Sequence, residues 1–185
     1  MSAGRRRRAA GRLLTGMIVR EQFDNGLCLL TESMPDVRSV SFAAWLNRGS
    51  RHESAARSGI AHFIEHMLFK GTVRRPTPLD ISGTVESLGG EINAGTEQEL
   101  TAYWCRVARP HLDECLDLLI DMLRSSVVDP AELERERGVI LEEQNMINDY
   151  PNQKVEAIID EMLWPDHPLG RDIAGTRESV MGTTR

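Results

Sequence analysis

Two short segments, 18–23 and 27–32, flank Asp24-Asn25-Gly26, and a strand on each side of such a triplet predicts a β-hairpin. Ser39-Val40-Ser41-Phe42-Ala43-Ala44-Trp45-Leu46-Asn47 reads as a third strand, and 48–57 is polar and loop-like. A helical period then runs over 59–70, with Ser58 as its expected N-cap and Gly71 as its stop. Pro78 opens a second helix that Gly89-Gly90 ends. The segments 91–96 and 100–108 form a strand pair around Glu97-Gln98-Glu99, and Pro110 starts a helix reaching Ser125. Asp129-Pro130-Ala131-Glu132 is a strong helix start, with an acidic cap, proline first and glutamate third. That helix extends to about Asn148, and 151–163 makes another. Gly175-Thr176-Arg177-Glu178-Ser179-Val180 begins a last one. Strands and helices mix without strict alternation and without an internal repeat, so the class is α+β. Thr183-Thr184-Arg185 has the form of a further cap, which leads us to expect a chain that stops mid-architecture.

The 185 residues are 41% hydrophobic, 27% charged and 5% aromatic, the balance of an ordinary soluble domain with room for a substantial core. No apolar run approaches the ~20 residues that span a bilayer, and no membrane partner is expected. Cys28, Cys105 and Cys115 lack CxxC spacing, so neither a disulfide scaffold nor a cysteine zinc knuckle is supported and a reducing compartment is expected.

Net charge is −6, distributed unevenly. Residues 1–20 hold six arginines (Arg5, Arg6, Arg7, Arg8, Arg12, Arg20) and no acid, leaving 16 basic against 28 acidic side chains elsewhere. A body this acidic is a poor nucleic-acid surface and attracts basic ligands, so no nucleic-acid partner is expected. Residues 1–16 read as a disordered, solvated tail. Their arginine-rich, acid-free composition also fits a mitochondrial transit peptide or a basic arm, whereas the missing apolar stretch argues against a secretory signal. The expected location is a bacterial-type cytoplasm, with the mitochondrial matrix as the alternative.

The candidate chemistry sits in His62-Phe63-Ile64-Glu65-His66. At about 100° per residue, His62, Glu65 and His66 share a stripe about 100° wide on a helix otherwise covered by apolar residues. Two imidazoles and a carboxylate on a buried helix need partners, and histidines at i and i+4 can aim nitrogens at one ion. H-x-x-E-H is a zinc-peptidase signature, the reverse of H-E-x-x-H. A hydrogen-bonded pair of core histidines is the competing reading.

Catalytic zinc takes three protein ligands and keeps a position for water, so one more donor is required. On the helix from Pro130, the apolar residues Leu133, Val139, Ile140, Met146 and Ile147 centre on one face, with Glu136 and Glu143 in its middle. Glu142 points about 100° away. Glu143 is therefore the expected third ligand, and Glu136 a residue behind the ligands that orients a histidine or water. A solvated charged helix is the alternative, against which the apolar neighbours argue.

The run His62-Phe63-Ile64-Glu65-His66-Met67-Leu68-Phe69-Lys70-Gly71-Thr72 resembles the pitrilysin/insulysin family of zinc metallopeptidases, especially its mitochondrial processing peptidase-like branch. The resemblance continues through Gly89-Gly90-Glu91-Ile92-Asn93-Ala94, Thr101-Ala102-Tyr103, Glu134-Arg135-Glu136-Arg137-Gly138-Val139-Ile140-Leu141-Glu142-Glu143, Pro168-Leu169-Gly170 and Gly175-Thr176. It implies a sheet packed against helices over 17–185, incomplete at its C-terminal end. One Zn2+ per chain would be held by His62, His66 and Glu143, with Glu65 as the base that activates water and Glu136 as the additional acidic residue one heptad before the ligand. It also implies that Asn93 and Ala94 take an extended substrate as an added strand, a grip on backbone that is indifferent to side chain.

Family members consist of two related halves around a chamber, and this chain matches most of the first. The implied function is a zinc-dependent endopeptidase acting on peptides, basic ones given the acidic body. Its partner would be a second half from the same gene, a partner chain or a dimer. The alternatives are a non-catalytic structural or regulatory subunit of the same fold, or a fragment inactive without its second half. The intact motif favours the enzyme. Elsewhere, His52, His111 and His167 are expected at the surface or as caps, Trp45, Trp104 and Trp164 in the core, and Cys105 and Cys115 as buried thiols.

Overall fold

The computed structural model describes residues 18–185 and the backbone of Arg6–Arg7. The remainder of the tail expected over 1–16 lies outside the described residues. Two compact units divide at Arg38. In the first, β1 (Arg6–Arg7), β2 (Ile18–Phe23) and β3 (Cys28–Glu32) form an antiparallel sheet in that order. The expected hairpin turn is present. Gly26 takes φ 89°, and the Asn25 side chain accepts the Leu27 amide at 3.1 Å.

The second unit is built on β4 (Ser39–Leu46), β5 (Glu91–Thr96) and β6 (Thr101–Ala108), antiparallel in the order β4-β6-β5. The helices are α1 (Ile60–Leu68), α2 (Pro78–Glu86), α3 (Leu112–Ser125), α4 (Pro130–Asp149), α5 (Pro151–Leu163) and α6 (Arg177–Gly182). The polar stretch 48–57 contains two 3-10 turns, Ser50–His52 and Ala55–Arg57, where only loop was expected. None of the described helices is long and apolar enough to cross a membrane.

Alternation along the strands gives the sheet one covered face. Val40, Phe42, Ile92, Cys105 and Val107 meet Ile81 and Val85 of α2 and Cys115, Leu118 and Met122 of α3. Truncating a fully buried side chain such as Leu118 to alanine would cost about 2–5 kcal/mol. Burial pushes the Cys105 thiol up to about 12, with the neighbouring Cys115 adding to the shift, so these two cysteines are the inert thiols expected. A second cluster joins Leu68 of α1 to Tyr103 and Leu119, and a third joins Phe63 and Met67 of α1 to Leu133 and Ile140 of α4 and Val180 of α6. Helix α1 is thus wedged between the sheet and α4.

The tryptophans correct the sequence reading. Trp45 is 70% exposed, Trp164 47% exposed, and Trp104 half-buried. The register pairs Ala43 with Trp104 and Trp45 with Ala102, which places both strand indoles on the face opposite α2 and α3. Trp164 follows α5, a helix with no buried residue. Ile64, Val139 and Met146, expected on buried faces, are also exposed, because α1 and α4 bury narrower stripes than their apolar content suggests.

The C-terminal segment crosses the start of α1 at two glycines. Gly59 (φ 88°) and Gly175 (φ 77°) are both left-handed, and a Cβ on Gly175 would lie 2.2 Å from the Ser58 carbonyl oxygen. The Ser179 hydroxyl donates to that same oxygen at 2.6 Å. Gly175→Ala should therefore cost at least about 2 kcal/mol in urea unfolding. A loss under about 0.5 kcal/mol would mean that the crossing is not tight.

Candidate metal centre

A nine-residue helix is marginal alone, so its ends and faces must be held by the rest of the fold. Ser58 is not the cap that the sequence suggested. The N-cap is Gly59, which has no side chain to offer. Instead Glu53 reaches back from the preceding turns, and its two carboxylate oxygens accept the amides of Gly59 and Ala61 at 2.7 Å each. Burial raises the Glu53 carboxyl above its ordinary value, against the lowering effect of those amides and of Arg171. Arg171 donates to the Glu53 carbonyl at 2.7 Å, tying the turn to the C-terminal segment.

With Phe63 and Met67 facing α4 and Leu68 facing the sheet, the remaining face of α1 carries His62, Glu65 and His66. His62 Nε2 and His66 Nε2 lie 3.2 Å apart, and Glu143 Oε2 stands 3.6 Å from the first and 3.5 Å from the second. Ligand bonds of about 2.0–2.1 Å in a tetrahedron place donors about 3.3–3.4 Å apart. The triangle has that size.

The histidine nitrogens also have the right chemistry. His66 Nδ1 lies 3.0 Å from Glu136 Oε2; with the proton on Nδ1, His66 Nε2 is a lone pair facing the triangle. His62 Nδ1, the ring nitrogen outside the triangle, is buried with no hydrogen-bond partner among the described residues. Burial lowers the His62 pKa below the ordinary histidine value and the neighbouring His66 lowers it further, against Glu65, Glu143 and Asp172. A neutral imidazole is the form that binds a metal. Two facing nitrogens can share at most one proton between them, whereas one cation would satisfy both and the carboxylate. The donor set therefore fits a zinc ion.

Glu65 lies outside the triangle. Its Oε2 accepts the Thr96 hydroxyl at 2.7 Å, which orients the carboxylate from β5. Glu136 is almost fully buried, and its second oxygen lies 2.7 Å from Lys70 Nζ. Glu142 is exposed, as the helical-face argument required. A cavity of about 620 Å3 opens over His62, Glu65 and Glu143, and its wall includes Glu156, Asp160 and Asp172.

The structure brings His62, His66 and Glu143 together, with Glu136 behind His66 and Glu65 beside them. Asn93 and Ala94 are not part of this cluster. They lie on β5, an edge strand of the three-stranded sheet, where the Asn93 side chain accepts the Ala94 amide at 2.8 Å. Sequence reasoning missed Glu53, Thr96 and Lys70. Only Lys70 carried a signal, since it lies four residues after His66 and so on the same helical side.

Residues 28–177 match the family model for insulinase, peptidase family M16. The chain belongs to that family. Among its M16 relatives, an uncharacterized zinc protease of Streptomyces coelicolor is 40% identical over 169 residues, covering 91% of this chain and 37% of the relative. The mitochondrial-processing peptidase subunit beta of Dictyostelium discoideum is 37% identical over 166 residues, 87% of this chain and 34% of that one. The crystal structure of pitrilysin superposes with a TM-score of 0.77 at 27% identity, over 89% of this chain and 18% of pitrilysin. The processing-peptidase resemblance drawn from the motifs and the α+β class drawn from the order of strands and helices are borne out. The M16 chain spans a little over a third of the length of these two relatives.

The lowered His62 pKa gives a pH signature in the metal-free chain. As pH falls below about 6.5, the unfolded chain takes up a proton that the folded imidazole refuses. The stability present above that value is therefore lost on acidification, until folded His62 itself protonates. Urea midpoints measured in chelator from pH 8 to 5 should fall below pH 6.5 in the wild type and less in His62→Gln. Equal slopes would contradict the assignment.

Proposed function

We propose that this M16 domain is the zinc-binding part of an endopeptidase, with His62, His66 and Glu143 as ligands and Glu65 as the general base. The observation that carries the reading is the near-equilateral triangle of donor atoms, 3.2, 3.5 and 3.6 Å on its edges. Zinc bound there would lower the pKa of water toward ~7 and polarise a substrate carbonyl. Glu65, held at one oxygen by Thr96, keeps its other oxygen to take the proton of the attacking water. It then returns that proton to the leaving amine, so water is added across the peptide bond. Glu136 keeps the His66 nitrogen aimed at the ion.

The substrate is a peptide or unfolded polypeptide lying along the edge of β5. There its backbone would take over the Ala94 amide from the Asn93 side chain. Glu156, Asp160 and Asp172 in the cavity wall, together with the acidic body, favour basic peptides. A second pitrilysin-type half closes the chamber, and a reducing compartment such as the bacterial cytoplasm suits the free thiols.

Glu65→Gln should retain zinc and lower hydrolysis of quenched basic peptides by about 10²–10⁴-fold, the usual contribution of a general base. His66→Ala should lose zinc and activity together. Undiminished turnover in Glu65→Gln, assayed with the completing half present, would remove Glu65 from this role.

A further inference from the structure

Lys70 follows the last turn of α1, and its Nζ lies 2.7 Å from Glu136 Oε1. The other oxygen of that carboxylate lies 3.0 Å from His66 Nδ1. One carboxylate is thus gripped on both oxygens by residues four apart in sequence. The Glu136 side chain is 6% exposed, so little water competes for either oxygen. The terminal torsion of a glutamate is broad and soft, and a carboxylate held at one oxygen can turn about it. A second partner on the other oxygen fixes the carboxylate plane, and with it the direction in which the His66 ring is held. The nitrogen that an imidazole presents to a metal is aimed by what grips its other nitrogen.

We infer that Lys70 is a positioning residue of the metal centre: by holding Glu136 Oε1 it fixes the carboxylate that aims His66 Nε2 at the ion. The inference rests on the zinc reading above and adds a residue that touches neither ion nor substrate. It also accounts for a long cationic side chain turned inward to a nearly buried acid, when the lysine could extend into solvent.

The test is zinc affinity by chelator competition on the full 185-residue chain, with the thermal midpoint of each zinc-free protein measured alongside. Glu136→Gln should weaken binding about 10–100-fold and Lys70→Met about tenfold, as outer partners of metal ligands do. The double variant should bind no more weakly than Glu136→Gln alone, because Lys70 acts through Glu136. Lys70→Arg should return affinity to within about threefold of wild type, and Lys70→Gln replaces the Met variant if that one does not fold. A lysine that merely supports the fold would lower the zinc-free midpoint without Arg rescue and weaken the double variant further. Wild-type affinity in Lys70→Met, or additive losses in the double variant, would overturn the inference alone. A folded wild type that binds no zinc would overturn the site reading and the inference together.

Discussion

Two imidazole nitrogens 3.2 Å apart on the inner side of a short helix are an arrangement that protein groups alone satisfy poorly. Each ring is mostly desolvated, and a carboxylate from another helix points at the gap between them. Burial disfavours a charge on His62 and the neighbouring His66 ring adds to that, which is why His62 resists protonation. A divalent cation would resolve that conflict in one step, and much of the second unit can be understood as the apparatus that keeps these donors converging.

That apparatus grips α1 at both ends. Before it, Glu53 caps the free amides and is itself tied to Arg171, while the Gly59–Gly175 crossing lets backbone approach backbone. After it, the Thr72 hydroxyl donates at 2.6 Å to the buried carboxylate of Asp121 on α3, which also accepts from Arg75 at 2.8 Å and Arg74 at 3.1 Å. Burial would raise the Asp121 carboxyl, but the hydroxyl and guanidinium bonds outweigh it and hold it below the usual range. On the far side, buried Arg137 of α4 donates to the carbonyls of Val180 and Thr183, so the C-terminal segment is fastened to the helix that carries Glu136 and Glu143. A buried charge is tolerated where such bonds surround it.

The helical parts of this design were readable in the sequence because a helix fixes which residues share a face. The stripe of His62, Glu65 and His66, and the heptad pair Glu136 and Glu143, followed from period alone, and the two helices meet as that period required. Strand period was less informative. Alternation over 39–47 separates Trp45 from Phe42, yet it does not say which face the helices cover, and Trp45 proved to be on the open one. Glu53 and Thr96 act through contacts between elements, six and eight residues in one case and 31 in the other, for which no local pattern exists. Asn93 and Ala94 were reachable only through the family resemblance, since an edge strand is a property of the assembled sheet.

We propose that His62, His66 and Glu143 form one three-ligand zinc site within this chain. The most direct measurement is elemental analysis of the purified, folded protein beside Glu143→Gln. About one zinc per wild-type chain and a large loss in the variant are expected, since three protein ligands define such a site. A folded wild type without zinc, or equal zinc in both proteins, would contradict it.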